Sequence, residues 1–163
     1  MSKGECNSTE KMARAMAALF YYMADEMIKK YGDDAKFTIL EGIRRFGEWR
    51  GQEIRKQVLA AGEELNLGNL FKYYDLPLWV AWHMEVIEDS ETQRVTEVSY
   101  CPMADTWEKL GASRIGAIYC YVDPALVKGY NPGFKFAHEN KLPESCSSCR
   151  LVYTAVKEGD SKS

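Results

Sequence analysis

The chain has 163 residues, of which 46% are hydrophobic and 28% charged. That size fits one domain that buries roughly 70% of its unfolded surface without a disulfide or metal staple, and the apolar content excludes disorder as the main state. With 24 acids against 21 bases, a net charge of -3 and a pI near 5.5, the composition argues against a broad basic face for duplex nucleic acid.

The polar first ten residues lack the apolar core of a signal peptide. No stretch approaches the ~20 apolar residues that span a bilayer. The expectation is a cytoplasmic protein with neither a nucleic-acid nor a membrane partner. Its five cysteines, at 6, 101, 120, 146 and 149, are an odd number, which in a reducing compartment favours thiol chemistry or a metal over a disulfide framework.

Before residue 76 the pattern is helical. Asn7 and Glu10 have capping-box spacing, and Met12, Met16, Leu19, Phe20, Met23 and Met27 follow at helical intervals until Gly32. Asp33 and Asp34 open a second, long helix with apolar positions at Phe37, Leu40, Ile43, Ile54 and Val58, ending near Gly62. Gly47 and Gly51 share a face of it and admit a close backbone, expected to be that of the first helix. A short third helix covers 66–74.

After residue 76 the period becomes two. Residues 79–86 and 93–100 read as a β-hairpin turning near Ser90, with His83 opposite Glu97. Residues 102–110 make a short helix stopped by Gly111. A strand over 114–122, a helical turn capped by Asp123-Pro124, a Tyr-Asn-Pro-Gly turn, and strands over 135–142 and 150–156 complete the pattern. Helices first and a mostly antiparallel sheet afterwards predict an α+β fold, with N-terminal helices packed on a small sheet. The expected organisation is a disordered N-terminus (1–8), a single domain (9–156) and a disordered tail (157–163).

Several residues could carry chemistry. His83 falls on the polar face of the hairpin, as a solvated strand histidine or as a base lining a pocket. Cys101 sits where a strand hands over to a helix, whose dipole lowers a thiol pKa; the alternative is a small apolar residue at a tight corner. Cys146-Ser-Ser-Cys149 is half of a zinc knuckle or a redox pair. A structural zinc on Cys146 and Cys149 is the minority reading, and no cofactor is expected. Of Arg44, Arg45, Arg50 and Arg55, one turned inward could hold a carboxylate. No P-loop, dinucleotide fingerprint, G-x-S-x-G elbow or H-E-x-x-H motif is present.

The run from Cys101-Pro-Met-Ala-Asp-Thr-Trp to Gly111, Ile118-Tyr-Cys-Tyr-Val-Asp123, Gly129-Tyr-Asn-Pro132, Lys141-Leu-Pro143 and Cys149 together resemble the L-2-amino-thiazoline-4-carboxylic acid hydrolase family. Arg45-Phe-Gly-Glu-Trp-Arg-Gly51 resembles that family's G-x-x-R-G stretch. Glu144-Ser-Cys146 stands where members tend to carry Gly-Asp. The resemblance implies hydrolytic opening of a small heterocycle and a small carboxylate as substrate. On that basis Cys101 or Cys120 is the candidate nucleophile or pocket thiol, and His83 or Asp123 the proton-transfer group. Asn131 and Tyr119 would contact substrate, and Arg50 or Arg114 would hold its carboxylate. Asp123 also reads as a helix cap and Asn131 as a turn residue. The same pattern resembles vinyl-reductase-type sensor domains, which bind small hydrophobic ligands and sometimes zinc. A homodimer built through the Met-rich first helix is a further expectation.

Overall fold

The computed structural model describes residues 7–140 and 148–155. The expectations for both chain ends, for the Lys141-Leu-Pro143 motif and for Cys146 lie outside the described residues.

Helix α1 (Ser8–Tyr31) starts where expected: the Asn7 side chain accepts from the Glu10 backbone N–H at 2.9 Å. Such a cap is worth about 1 kcal/mol. It ends at Gly32, whose φ of 76° suits a residue without Cβ. The buried stripe of α1 is Ala13, Ala17 and Ala24, flanked by Met16 and Phe20, while Met12, Leu19 and Met23 point outward. Small residues therefore face the core and let other helices approach closely. Helix α2 (Ala35–Ala60) buries Ile39, Ile43, Ile54 and Val58 and leaves Phe37 exposed. Asn66 caps the short helix α3 (Leu67–Lys72).

The expected strand at 79–82 is instead a single 3-10 turn over Leu78–Val80. Pro77 precedes it, and a proline without an N–H does not sit well in a ladder. Strand β1 (His83–Asp89) and strand β2 (Gln93–Tyr100) form the hairpin. Its register differs from the expected one. Glu85 lies opposite Glu97 and His83 opposite Tyr100, because the pairing shifts between His83 and Met84 and again between Val86 and Glu88. Each shift of this kind re-aims the side chains that follow it.

Helix α4 (Pro102–Lys109) follows at once, with Gly111 at φ 65° beyond it. The predicted strand over 114–122 is helical. Helix α5 (Ser113–Tyr119) and helix α6 (Val122–Tyr130) occupy this stretch. The reason is packing: Gly116 lies against the Trp107 ring, where an added Cβ would stand 2.2 Å from Cδ2, and Trp107 donates to the Ala17 carbonyl at 2.9 Å. Only the helical turn brings Gly116 and Tyr119 together onto α1 and α4. Strand β3 (Phe134–Asn140) and strand β4 (Cys149–Ala155) finish the sheet, whose order is β1-β2-β4-β3, antiparallel throughout. The architecture is α+β.

The closest helix crossing is between α2 and α6, not between α2 and α1. A Cβ at Gly47 would lie 2.5 Å from the Val122 carbonyl oxygen, one at Gly51 2.0 Å from that of Leu126, and one at Gly129 2.3 Å from that of Glu48. Around this crossing the apolar core divides in two. One part gathers Ala13, Ala17, Ile43, Met103 and Trp107; the other gathers Ile54, Val58, Leu67, Leu126 and Tyr130.

Gly51→Ala is expected to lower the melting temperature markedly, costing at least ~1–3 kcal/mol through overpacking. Gly42→Ala on the same helix meets nothing within 4 Å and is expected to leave stability unchanged or raise it by up to ~1 kcal/mol. Thermal unfolding of the two variants side by side separates backbone contact from helix propensity.

Candidate active site

A cavity of about 110 Å³ lies between the two core clusters, under the helices and against one face of the sheet. Most of its wall is apolar, from Met16, Leu76, Leu78, Trp82, Met84, Val98, Met103 and Trp107. Set into that wall are the thiols of Cys101, Cys120 and Cys149, the carboxyl group of Asp123, the imidazole of His138, the phenols of Tyr74, Tyr119 and Tyr153, and Arg50. These groups come from α2, the segment after α3, the start of α4, α5, α6, the edge strand β3 and its neighbour β4, so the tertiary fold alone assembles them.

Cys101 is the N-cap of α4. Its sulfur accepts from the Ala104 backbone N–H at 3.5 Å and from the Trp82 indole N–H at 3.2 Å. These contacts and the helix terminus favour a thiolate, yet burial is the larger effect and pushes the thiol above its ordinary value, the Asp123 charge adding to it. The expected lowered pKa is thus reversed. Cys101 is a protonated thiol at neutral pH.

Asp123 is the second residue of α6 rather than its cap, since Tyr121 occupies the capping position. In the first turn its carboxylate is stabilised by the positive end of the helix. Burial raises the Tyr74, Tyr119 and Tyr153 phenols, Tyr119 to about 12, and the Asp123 charge adds to each. The three phenols that line the cavity with Asp123 thus hold their protons.

Arg50 is 5% exposed and carries the strongest ion pair of the site: Nε and Nη2 donate to the two Asp75 oxygens at 2.7 and 2.6 Å. Its guanidinium carbon lies 5.7 Å from the ring centroids of both Phe46 and Tyr74. Burial alone would pull Arg50 down; the hydrogen bonds to Asp75 outweigh it and raise the guanidinium above its ordinary value. Nη1 is the nitrogen Asp75 does not engage.

Among the residues singled out from sequence, Cys101, Cys120, Asp123, Arg50 and Tyr119 share this cavity. His83 is exposed on the edge strand, its ring 4.9 Å from that of Tyr100. Arg114 is exposed on α5. Asn131 holds a turn, donating to the Leu65 carbonyl at 3.3 Å and accepting from the Gly133 N–H at 3.0 Å. The cavity histidine is His138. Sequence reasoning passed over it, although Phe134, Phe136 and His138 alternate on one face of β3. Tyr74, Asp75 and Tyr153 were missed as well. Among the described residues, no three His, Cys, Asp or Glu side chains converge as a metal-holding group.

A helical layer over an antiparallel sheet, with thiols, a carboxyl group and an imidazole lining the cavity between them, defines an α+β protein with polar groups in its cavity wall. The L-2-amino-thiazoline-4-carboxylic acid hydrolase family matches residues 11–153, and the chain belongs to that family. Membership supports a hydrolase-like function in general. No curated protein matches the chain. Among solved structures, it is similar in fold to a trafficking protein particle complex subunit 3 from Naegleria fowleri covalently bound to palmitic acid. That similarity has a TM-score of 0.56 at 9% identity and covers 91% of this chain and 97% of the other. No helix among the described residues is long and apolar enough to cross a membrane.

Alkylation by iodoacetamide is expected to be slower at Cys101 than at a free cysteine near pH 8. Its rate should inflect above the ordinary thiol value of about 8.5, since the folded protein holds the proton longer. Mass mapping against pH in native and unfolded protein checks this; equal rates in the two states would contradict the burial argument.

Proposed function

We propose that the protein is a hydrolase that opens a cyclic C–N bond in a small carboxylate such as a 2-amino-thiazoline-4-carboxylate, with its reaction site in the inner cavity. The observation that carries this reading is the placement of Asp123, His138 and three thiols around one cavity. Family membership supports the reaction class.

The burial of Cys101 points to water as the attacking group. Asp123 takes a proton from water as the oxygen adds to the amidine carbon. His138 protonates the ring nitrogen as the hydroxyl adds, and Asp123 returns its proton to His138. The ring C–N bond then breaks: the hydroxyl gives its proton to Asp123 and becomes the carbonyl, while the departing nitrogen takes a second proton from His138 and leaves as the amine. One water is consumed, and the carbon stays on sulfur as a carbamoyl group. The second proton passes from Asp123 back to His138, which closes the cycle. Cys101 and Cys120 shape the wall and present S–H groups to the adding oxygen. Arg50 Nη1 would hold the substrate carboxylate, and Tyr119 would contact the ring. His83, Asn131 and Arg114 are left out of the mechanism because they lie outside the cavity.

The second reading is a non-catalytic small-ligand-binding domain. The largely apolar wall favours it, and the solved protein of similar fold is covalently bound to palmitic acid.

Asp123→Asn and His138→Gln are each expected to lower turnover of the thiazoline carboxylate by ~10²–10⁴-fold, the usual worth of a positioned proton-transfer group. Cys101→Ser should cost less than either. Turnover insensitive to Asp123 and His138, or a thiol adduct on Cys101 or Cys120 trapped by mass spectrometry, would overturn the water mechanism. Tight binding without turnover would favour the second reading.

A further inference from the structure

A second chamber of about 330 Å³ adjoins the inner cavity. The two share Tyr74, Leu76, Leu78, Trp82, Met84, Leu151 and Tyr153, so one partition of side chains faces both. The inner chamber alone, at about 110 Å³, falls below the ~300–1,000 Å³ of ordinary ligand pockets, whereas the adjoining one lies within that range. Beyond the partition the wall is apolar, with Phe71, Trp79 and Val86. Trp79 is 70% exposed and Val86 45%, so hydrocarbon is presented at the rim of the chamber.

One charged side chain enters this apolar space. Arg94 lines the outer chamber beside Thr96. Its guanidinium carbon stands 4.1 Å from the Phe71 ring centroid, and Nη1 donates to Asp89 at 2.9 Å. Its Nε is buried and has no acceptor among the described residues. A buried donor left unsatisfied is costly, and the Arg94 side chain that carries it lines the outer chamber.

We propose that the two chambers form one site for an elongated substrate. The small reacting ring occupies the inner chamber, and an alkyl or aryl substituent fills the outer one and carries a carbonyl or carboxylate group that accepts from Arg94. This extends the proposed ring hydrolysis, on which it rests, by defining the substrate class: a heterocycle with a bulky apolar arm ending in an acceptor, rather than the bare ring.

The test uses 2-aminothiazoline-4-carboxylate and derivatives whose exocyclic nitrogen carries methyl, butyl or hexyl chains, and a hexyl chain ending in carboxylate. Binding is read by calorimetry and by quenching of tryptophan fluorescence. Affinity is expected to rise roughly two- to fourfold per methylene, with a further gain from the terminal carboxylate. Val86→Trp, which fills the outer chamber from an exposed position, should abolish the dependence on chain length. Arg94→Gln should remove only the gain from the carboxylate. Melting temperatures confirm that both variants fold. An affinity independent of chain length in the wild type, or a length dependence that survives in folded Val86→Trp, would overturn the inference. If the long probes bind as expected and none is hydrolysed, the reaction assigned above fails while the two-chamber site stands.

Discussion

The crossing of α2 over α6 is the contact from which the rest of the site is built. Three glycines let the two backbones meet where any Cβ would collide with a carbonyl oxygen or with the chain itself. Helix α2 carries Arg50 and helix α6 carries Asp123, so the depth of that crossing sets the spacing of a buried cation and a half-buried carboxyl group on one wall. With the helices this close, the apolar residues on either side cannot merge into one core. They form two clusters, and the volume between them is the inner cavity. The cavity is thus a packing consequence of helix approach.

Burial then decides the chemistry of what lines it. The same desolvation that holds the Cys101 and tyrosine protons in place disfavours a buried arginine charge, and Asp75 compensates Arg50 through two hydrogen bonds. A buried pair of this kind is costly to break by removing one partner, by ~3–5 kcal/mol. It anchors the segment after α3 to α2, and that segment runs on into the 3-10 turn that roofs both chambers. Arg14 ties the other side, binding Glu10 and Asp105 and so fastening α1 to α4 just beyond Cys101.

Much of this was legible in the order of residues. The Asn7 and Asn66 caps, Gly32, Gly62 and Gly111 at positive φ, and the hairpin around Ser90 are local features with local causes. The stretch 113–122 was not legible, because Ile115, Ala117, Tyr119 and Tyr121 alternate as a strand would, and the contact that decides otherwise is Gly116 against Trp107. Of the site, the groups near Cys101 and Asp123 could be found by motif. His138 had a signal in the alternation of β3, which a search focused on the hairpin histidine passed over. Asp75 had none: its partner is 25 residues away, and no spacing rule connects them. The hairpin register failed for the same kind of reason, since bulges are set by the strands they meet.

The two chambers differ in which parts of the chain build them. The inner groups sit on α2, α4 through α6, β3 and β4, a framework locked by glycine contacts that tolerate little change. The outer wall is drawn from the end of α3, the 3-10 turn and the rim of the hairpin, where several side chains are already half in solvent. Descendants of this chain can therefore exchange Phe71, Trp79 and Val86 without disturbing the helix crossing beneath. Divergence in ligand preference within such a lineage should accumulate at those rim positions, while Tyr74 and Asp75, between them in sequence, drift slowly with the deeper groups.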